Sequence, residues 1–151
     1  MKDEDDGYPG TYVSKLGKLP PTVGMPKSYF DRRGCLMDCR GPLVISGKSH
    51  WGFGIQVLTQ SHDISAWPEP GEVVPYGVTV EDEAWIFSFS ILAGCVIGTR
   101  SIVAAGSVVR GQTVAPNVMV AGNPARVVAR WNGDRWFYLP TDESGFCREL
   151  K

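Results

Sequence analysis

Two histidines, His50 and His62, are the residues of this chain best suited to acid–base chemistry. Histidine changes its protonation state near neutral pH, so it can take the proton of a hydroxyl group. His62 stands directly before a long proline-rich stretch, where a side chain would lie at the mouth of a cleft. His62 is therefore either a general base or an exposed turn residue, and spacing alone does not choose between these readings. For His50, an ordinary outward-facing position is favoured.

Three arginines, Arg110, Arg126 and Arg130, flank the segment GNPA at 122–125. Arginines beside exposed backbone amides can bind phosphate, although a solvated basic end of the fold explains them equally well. Other chemistries have less support. A catalytic zinc site built from histidines needs three of them, and the chain has neither a GxSxG nucleophile motif nor a P-loop. We therefore expect no metal ion.

The elements that must position these residues form a repeat of six residues. Neither a helix nor an alternating strand repeats at six, whereas a β-helix does, with one short strand and one turn in each hexapeptide. Three such strands close one triangular coil, and small residues such as Ala84, Ser101 and Ser107 would fill its corners. The inward positions, with one step of five, are predicted at Ile45, Trp51, Val57, Val80, Ile86, Leu92, Ile97, Val103 and Val109.

The repeat divides the chain into segments of a single domain, 1–151. We predict an irregular N-terminal segment at 1–40, a β-helix at 41–113 and a C-terminal segment at 114–151, with an imperfect first coil near 33–44 left open. A loop at 63–77 interrupts the repeat and carries three prolines among its residues. A loop of this length inside a compact domain is usually functional.

Composition excludes several classes of partner. The net charge of −1 and the pI of about 6.1 give no general attraction to nucleic acid. No apolar run is long enough to span a membrane, and the acidic N-terminus is unlike a secretory signal, so a cytoplasmic protein with reduced cysteines is expected. A short prism has open ends and apolar outer positions, which predicts self-association. The aromatic residues expected on the outside are Trp51, Phe53, Phe87 and Phe89.

Five segments together resemble the hexapeptide-repeat acyltransferases, and within them the galactoside and maltose O-acetyltransferases and the acetyltransferases of bacterial polysaccharide synthesis. The segments are QVLTQSHD (56–63), the loop, VTVEDEAWI (78–86), ILAGCVIGTRSIVAAGSVV (91–109) and VMVAGNPARVV (118–128). The resemblance implies an all-β fold, a left-handed parallel β-helix, whose hand is an exception to the usual right-handed crossover. It also implies a homotrimer that binds acetyl-CoA in grooves between neighbouring subunits.

The resemblance further implies roles for individual residues. His62 matches the catalytic base of the family. Ser88, Ala105, Arg110 and Gly111 match positions that line the coenzyme, largely through backbone groups. Arg126 matches a residue that meets the coenzyme phosphates, and Arg130 lies beside the position of a second such arginine. We assign the acceptor site to Asp38, Arg40 and Trp85.

The resulting hypothesis is an acetyl-CoA-dependent O-acetyltransferase that acts on a hydroxyl of a sugar or glycan. Two alternatives stay open at this point. In one, the same site acts on an amino sugar or an antibiotic; in the other, the chain is a trimeric scaffold without catalysis. Phe87 stands where the family usually has glycine, and Gly94 stands where it usually has Pro-Gly, and both departures favour the scaffold.

Overall fold

The computed structural model describes residues 19–69 and 71–139, and almost all of its regular structure is β-strand. A 3₁₀ helix covers Ile64–Ala66. The remaining elements of the described residues are α1 (Lys27–Asp31), β1 (Leu36–Met37), β2 (Leu43–Ile45), β3 (His50–Trp51), β4 (Gln56–Leu58), β5 (Gln60–His62), β6 (Val73–Pro75), β7 (Val78–Val80), β8 (Trp85–Ile86), β9 (Ile91–Ala93), β10 (Val96–Ile97), β11 (Ile102–Val103), β12 (Val108–Arg110), β13 (Thr113–Val114), β14 (Val118–Gly122), β15 (Ala125–Trp131) and β16 (Trp136–Tyr138).

The strands form three parallel ladders that are the three faces of a prism. The first face contains β1, β4, β9 and β12, and the second contains β2, β7, β10 and β13. The third face contains β3, β8, β11 and β14, and it continues into the antiparallel strands β15 and β16. Because the chain visits the first, second and third faces in turn and then repeats, the predicted parallel β-helix is confirmed.

Stacked aliphatic side chains fill the prism. In each ladder, the inward residue of one coil lies in register with the inward residue of the next, as Ile45, Val80, Ile97 and Val114 do on the second face. Residues of this kind are almost fully buried, and burying one such side chain contributes about 1.5–3 kcal/mol. The stacks on the other two faces are Met37, Val57, Leu92 and Val109, and Trp51, Ile86, Val103 and Val120.

One corner of the prism varies in length while the other two stay constant. Inward residues are six apart wherever the chain passes from the second face to the third or from the third to the first. Between the first and second faces the step is five from Leu92 to Ile97 and again from Val109 to Val114. The whole proline-rich insertion also leaves from this corner. We call it the variable corner and define it by residues 38–42, 59–77, 94–95 and 111–112.

The parallel ladders extend beyond the predicted limits of 41 and 113. At the start, β1 pairs with β4, so the imperfect first coil near 33–44 is part of the helix. At the end, β13 and β14 still pair in parallel with β10 and β11, and the inward positions continue at Val114 and Val120. Because the step from Val109 to Val114 is five residues, a six-residue period does not predict this continuation. The insertion also begins earlier than residue 63, because β5 already pairs with β6.

Trp51 lies inside the protein, which confirms its predicted inward position in the repeat, whereas its expected role as an outer aromatic residue is wrong. Its side chain is 5% exposed, and its indole Nε1 donates a hydrogen bond to Ser49 Oγ at 2.9 Å. Phe30 of α1 packs edge-on against it, with ring centroids 5.2 Å apart. The helix thus covers an apolar residue of the first coil that would otherwise reach the open end. Phe53, Phe87 and Phe89 are exposed, as expected.

Two glycines at the variable corner allow a matched test of this packing. Gly94 and Gly111 occupy equivalent turns of successive coils with φ of 55° and 60°. A Cβ on Gly94 would lie 2.8 Å from the Tyr76 ring, whereas a Cβ on Gly111 would meet nothing within 4 Å. We expect Gly111→Ala to lower the free energy of unfolding by about 1–2 kcal/mol, the cost of a left-handed L-residue, and Gly94→Ala to lower it further.

Urea denaturation of the two variants beside the wild type measures this difference. Equal losses for both substitutions would contradict the expectation, because they would show that Tyr76 moves aside at no cost.

Candidate active site

A two-stranded arm carries His62 away from the prism. The strands β5 and β6 pair with each other and with no face of the helix within the described residues. The chain leaves the prism at Thr59 and returns at Tyr76 and Gly77, whose amides donate to Thr59 O at 3.0 and 3.1 Å. An insertion at the variable corner can form such an arm because no inward stack is interrupted there.

The imidazole of His62 is exposed at the end of β5 and has a defined hydrogen bond. Its Nδ1 lies 3.2 Å from Gly71 O on the returning chain. A carbonyl oxygen only accepts hydrogen bonds, so this contact requires the proton on Nδ1. In the neutral imidazole, the other ring nitrogen, Nε2, is then an acceptor. A histidine in this tautomer can take a proton from a hydroxyl group placed beside Nε2.

Asp63 forms a turn and does not orient His62. Its carboxylate caps the 3₁₀ helix Ile64–Ala66, with Oδ1 accepting from Ser65 N at 2.8 Å. Hydrogen bonds from the Ser65 backbone and side chain hold the pKa of Asp63 below its usual value. Gly71 O, which the sequence analysis did not identify, fills the orienting role instead. No spacing pattern links it to His62, since the contact depends on the fold of the arm.

His50 and Trp85 lie together on the third face, away from the arm. They are neighbours in register on β3 and β8, and their ring centroids are 4.9 Å apart. Trp85 is 48% exposed and lines a groove of about 570 Å³ with Phe87, Trp131 and Trp136. The structure therefore brings Trp85, predicted to bind the acceptor, next to His50 rather than next to His62.

Asp38 and Arg40 lie below the arm and bind each other. Arg40 Nε is 2.7 Å from Asp38 Oδ1, and Arg40 Nη2 is 3.2 Å from Asp38 Oδ2. Asp38 is buried, with 2% of its side chain exposed, while the side chain of Arg40 is 34% exposed. Of these two predicted acceptor residues, only Arg40 reaches solvent.

Ser88 and Ala105 occupy equivalent positions at the corner between the third and first faces. Each follows the inward residue of its coil by two, and Gly106 N donates to Ser88 O at 3.0 Å. Ser88 Oγ accepts from Phe53 N at 3.0 Å. Within the described part of the chain, neither the Ser88 amide nor the Ala105 amide donates a hydrogen bond. These two N–H groups can therefore bind acceptor atoms of an extended ligand.

The predicted coenzyme arginines lie at two other places. Arg110 ends β12 and is exposed beside Gly111 at the variable corner, next to a groove of about 310 Å³ lined by Tyr76 and Gly94. Arg126 and Arg130 are exposed on β15, and Arg126 Nη1 donates to Ala125 O at 2.9 Å. One copy of the chain thus spreads the predicted residues over two corners and the final hairpin, and does not gather them in one pocket.

The three described cysteines are poorly suited to act as nucleophiles. Burial raises the pKa of Cys95 to about 12, and burial followed by the charge of Asp38 raises the pKa of Cys39 to about 11. Burial also raises the pKa of Cys35, and a thiol that keeps its proton reacts poorly. Cys147 lies outside the described residues.

Residues 19–69 and 71–139 contain no group of three His, Cys, Asp or Glu side chains that could hold a metal ion. Among these residues, no helix is long and apolar enough to cross a membrane.

Comparisons with known proteins confirm the resemblance to the hexapeptide-repeat acetyltransferases. The galactoside O-acetyltransferase of Escherichia coli strain K12 is 36% identical over 71 residues, which cover 46% of this chain. A hexapeptide-repeat acetyltransferase of Vibrio cholerae, solved in complex with acetyl coenzyme A, has a TM-score of 0.54 at 32% identity over 64% of this chain. A galactoside acetyltransferase in complex with coenzyme A has a TM-score of 0.56 at 24% identity and supports the fold alone. No protein-family model matches the chain.

The left-handed parallel β-helix is thereby confirmed as the fold class. The match covers only part of each relative. It spans 34% of the Escherichia coli enzyme, 54% of the Vibrio cholerae structure and 48% of the galactoside acetyltransferase structure.

Proposed function

We propose that this chain is an acetyl-CoA-dependent O-acetyltransferase that transfers an acetyl group to a hydroxyl of a sugar or glycan, with His62 as the general base. The observation that carries the proposal is the bond between His62 Nδ1 and Gly71 O, which leaves Nε2 as a free acceptor on an exposed arm. The matched relatives are named acetyltransferases, and the galactoside enzyme acts on a sugar.

In this mechanism, acetyl-CoA supplies an activated acyl group and the protein supplies positioning and proton transfer. His62 Nε2 accepts the proton of the attacking hydroxyl, because an alcohol is a poor nucleophile while it keeps that proton. A free backbone N–H on the groove wall donates to the oxygen that becomes negative during transfer. Transfer is direct: the hydroxyl oxygen forms an ester bond to the acetyl carbon as the carbon–sulfur bond of the thioester breaks, and coenzyme A leaves as a thiol after taking up the proton that His62 accepted. The raised pKa values of the described Cys39 and Cys95 make these thiols poor nucleophiles. A general base of this kind contributes about 10²–10⁴-fold.

The predicted coenzyme residues fit an extended anionic ligand. The amides of Ser88 and Ala105 are free to donate to carbonyl oxygens of the pantetheine arm. Gly111 presents an open backbone, with room for a ligand where a side chain would stand. The exposed guanidinium groups of Arg110, Arg126 and Arg130 suit the phosphates, which arginine can bind through two hydrogen bonds.

The complete site is proposed to form between copies of the chain in a homotrimer. In a single copy, Ser88 and Ala105 lie on one corner and His62 projects from another. A groove between two neighbouring prisms brings different corners together. The exposed side chains of Phe53 and Phe89, at 60% and 71%, are apolar surface of the kind that such contacts bury.

The first test replaces His62 and follows acetyl transfer by the release of free thiol from acetyl-CoA across a panel of sugar, amino-sugar and antibiotic acceptors. We expect His62→Ala to keep the fold and the binding of acetyl-CoA while kcat falls by about 10²–10⁴-fold. His50→Ala is the control, because His50 contacts Trp85 on the third face, and its rate should match the wild type.

Turnover by His62→Ala at the wild-type rate would refute the mechanism. If no acceptor reacts and acetyl-CoA does not raise the melting temperature of the wild type, the non-catalytic scaffold is the correct reading.

The second test concerns the phosphate contacts. If Arg126 binds a coenzyme phosphate, Arg126→Ala should raise the KM for acetyl-CoA more than it lowers kcat, since a charge-assisted hydrogen bond contributes about 1.5–3 kcal/mol. Arg32→Ala removes an exposed arginine next to α1 and is the matched control. An unchanged KM for Arg126→Ala would move the phosphate site to Arg110 or Arg130.

The third test concerns assembly. Sedimentation equilibrium at micromolar concentration should give three times the chain mass of 16.5 kDa. A chain that stays monomeric at these concentrations would contradict a site between subunits.

A further inference from the structure

A buried carboxylate lies at the base of the arm that carries His62. Asp38 is 2% exposed, and both of its oxygens accept hydrogen bonds from its own chain. Oδ1 accepts from Arg40 Nε at 2.7 Å and from Arg40 N at 3.1 Å, while Oδ2 accepts from Arg40 Nη2 at 3.2 Å and from Thr59 N at 3.4 Å. A buried charge costs free energy unless it is paired, and the donors of Arg40 and Thr59 supply that pairing.

Thr59 connects this carboxylate to both ends of the arm. It is fully buried, and its Oγ1 donates to Asp38 O at 2.9 Å and accepts from Gly41 N at 2.8 Å. Its own carbonyl oxygen accepts from Tyr76 N and Gly77 N, where the arm returns. The residue that begins the arm is therefore fixed to the coil below and to the chain that closes the arm.

Arg40 extends the contact onto the first strand of the arm. With the Gln60 amide oriented so that its oxygen faces Arg40, that oxygen accepts from Nε at 3.1 Å and from Nη1 at 3.2 Å. On the other side, Tyr76 Oη donates to Gln60 O at 2.8 Å. Side chains two apart in a strand point to the same side, so Gln60 and His62 share one side of β5. Arg40 thus binds the side chain on the side where the imidazole lies.

We propose that Asp38 and Arg40 form a clamp that fixes the direction of His62, and that they are positioning residues rather than acceptor ligands. The clamp comprises Asp38, Arg40, Thr59 and Gln60. Within the described residues, the imidazole has one hydrogen bond, to Gly71 O, which joins the outgoing chain of the arm to the returning chain. Thr59 and Gln60 of the clamp hold these two chains together at the base through Tyr76 and Gly77, so the bond to Gly71 O depends on the clamp. The clamp joins the base of the arm to the coil below, so it sets the direction in which the arm leaves the prism and hence where the ring lies. The role in the reaction rests on the proposed function, whereas the clamp itself can be tested without it.

The kinetic test separates positioning from acceptor binding. Arg40→Ala should lower kcat by about tenfold to hundredfold for every acceptor that reacts, because a reacting group displaced by about 1 Å can cost 10²-fold. The KM for the acceptor should stay at its wild-type value. Arg40→Lys keeps the charge without the planar fork and should recover part of the rate. Lys48→Ala is the control, since it removes an exposed cation that binds Asp82 at 3.0 Å on another corner.

The structural test uses the small number of histidines in the chain. In a His50→Gln background, ¹⁵N–¹H correlation spectra of the imidazole contain the signals of His62 alone. We expect the Nδ1–H tautomer when Arg40 is present, and exchange between the two tautomers in Arg40→Ala. Circular dichroism should show the same fold for both proteins.

Each outcome has a definite meaning. A raised acceptor KM with unchanged kcat and tautomer would make Arg40 an acceptor ligand and overturn the clamp, as would an Arg40→Ala protein with wild-type kinetics and tautomer. If the wild type transfers acetyl to no acceptor but the tautomer still depends on Arg40, the proposed function fails and the clamp stands.

Discussion

Stacking of inward side chains in register is the constraint on which the rest of this structure depends. Each coil must place one aliphatic residue on each face directly above its equivalent in the coil below, and the parallel ladders fix that alignment. A single-residue slip would turn an inward side chain outward, because neighbouring residues in a strand point to opposite sides. Two corners therefore keep a constant six-residue step. Every departure from the six-residue step occurs at the variable corner. These departures range from a step that is one residue shorter to the whole insertion.

The buried polar groups of the prism follow the same constraint. Ser90 and Ser101 are fully buried at corner positions, and their hydroxyls donate to carbonyl oxygens of the turns beside them. Asp38 is the one acidic residue fully enclosed within the described part of the chain, and its donors come from Arg40 and Thr59. Corners thus tolerate polar atoms that the faces do not. The corners are also where insertions do not disturb the stacks, and the proposed site residues His62, Ser88 and Ala105 lie there or on the arm that leaves there.

The sequence predicted the parts of the structure that follow from periodicity. The six-residue step identified Ile97, Val103 and Val109 as inward residues, and all three are fully buried. It did not reveal the arm, because β5 and β6 are three residues each and pair across an irregular segment. It also did not reveal the partners of Asp38, since Thr59 lies 21 residues away and the contact exists only when two coils are stacked. Contacts between side chains of different coils need the register of the whole prism.

The separation of the predicted residues follows from the shape of the prism. Alternation places Trp85 on the outer side of the third face, because the next residue, Ile86, points inward. Register then places Trp85 beside His50. His62 lies on the arm, which leaves the prism at the variable corner, between the first and second faces and opposite the third. Within the described residues, neither the groove lined by Tyr76 and Gly94 nor the one lined by Trp85 contains His62, Ser88 or Ala105. In the proposed function, the free amides at Ser88 and Ala105 and the imidazole on the arm act on one ligand where two prisms lie side by side. In the same proposal, the arm carries His62 away from its own prism, and the clamp at its base sets the direction in which the imidazole points.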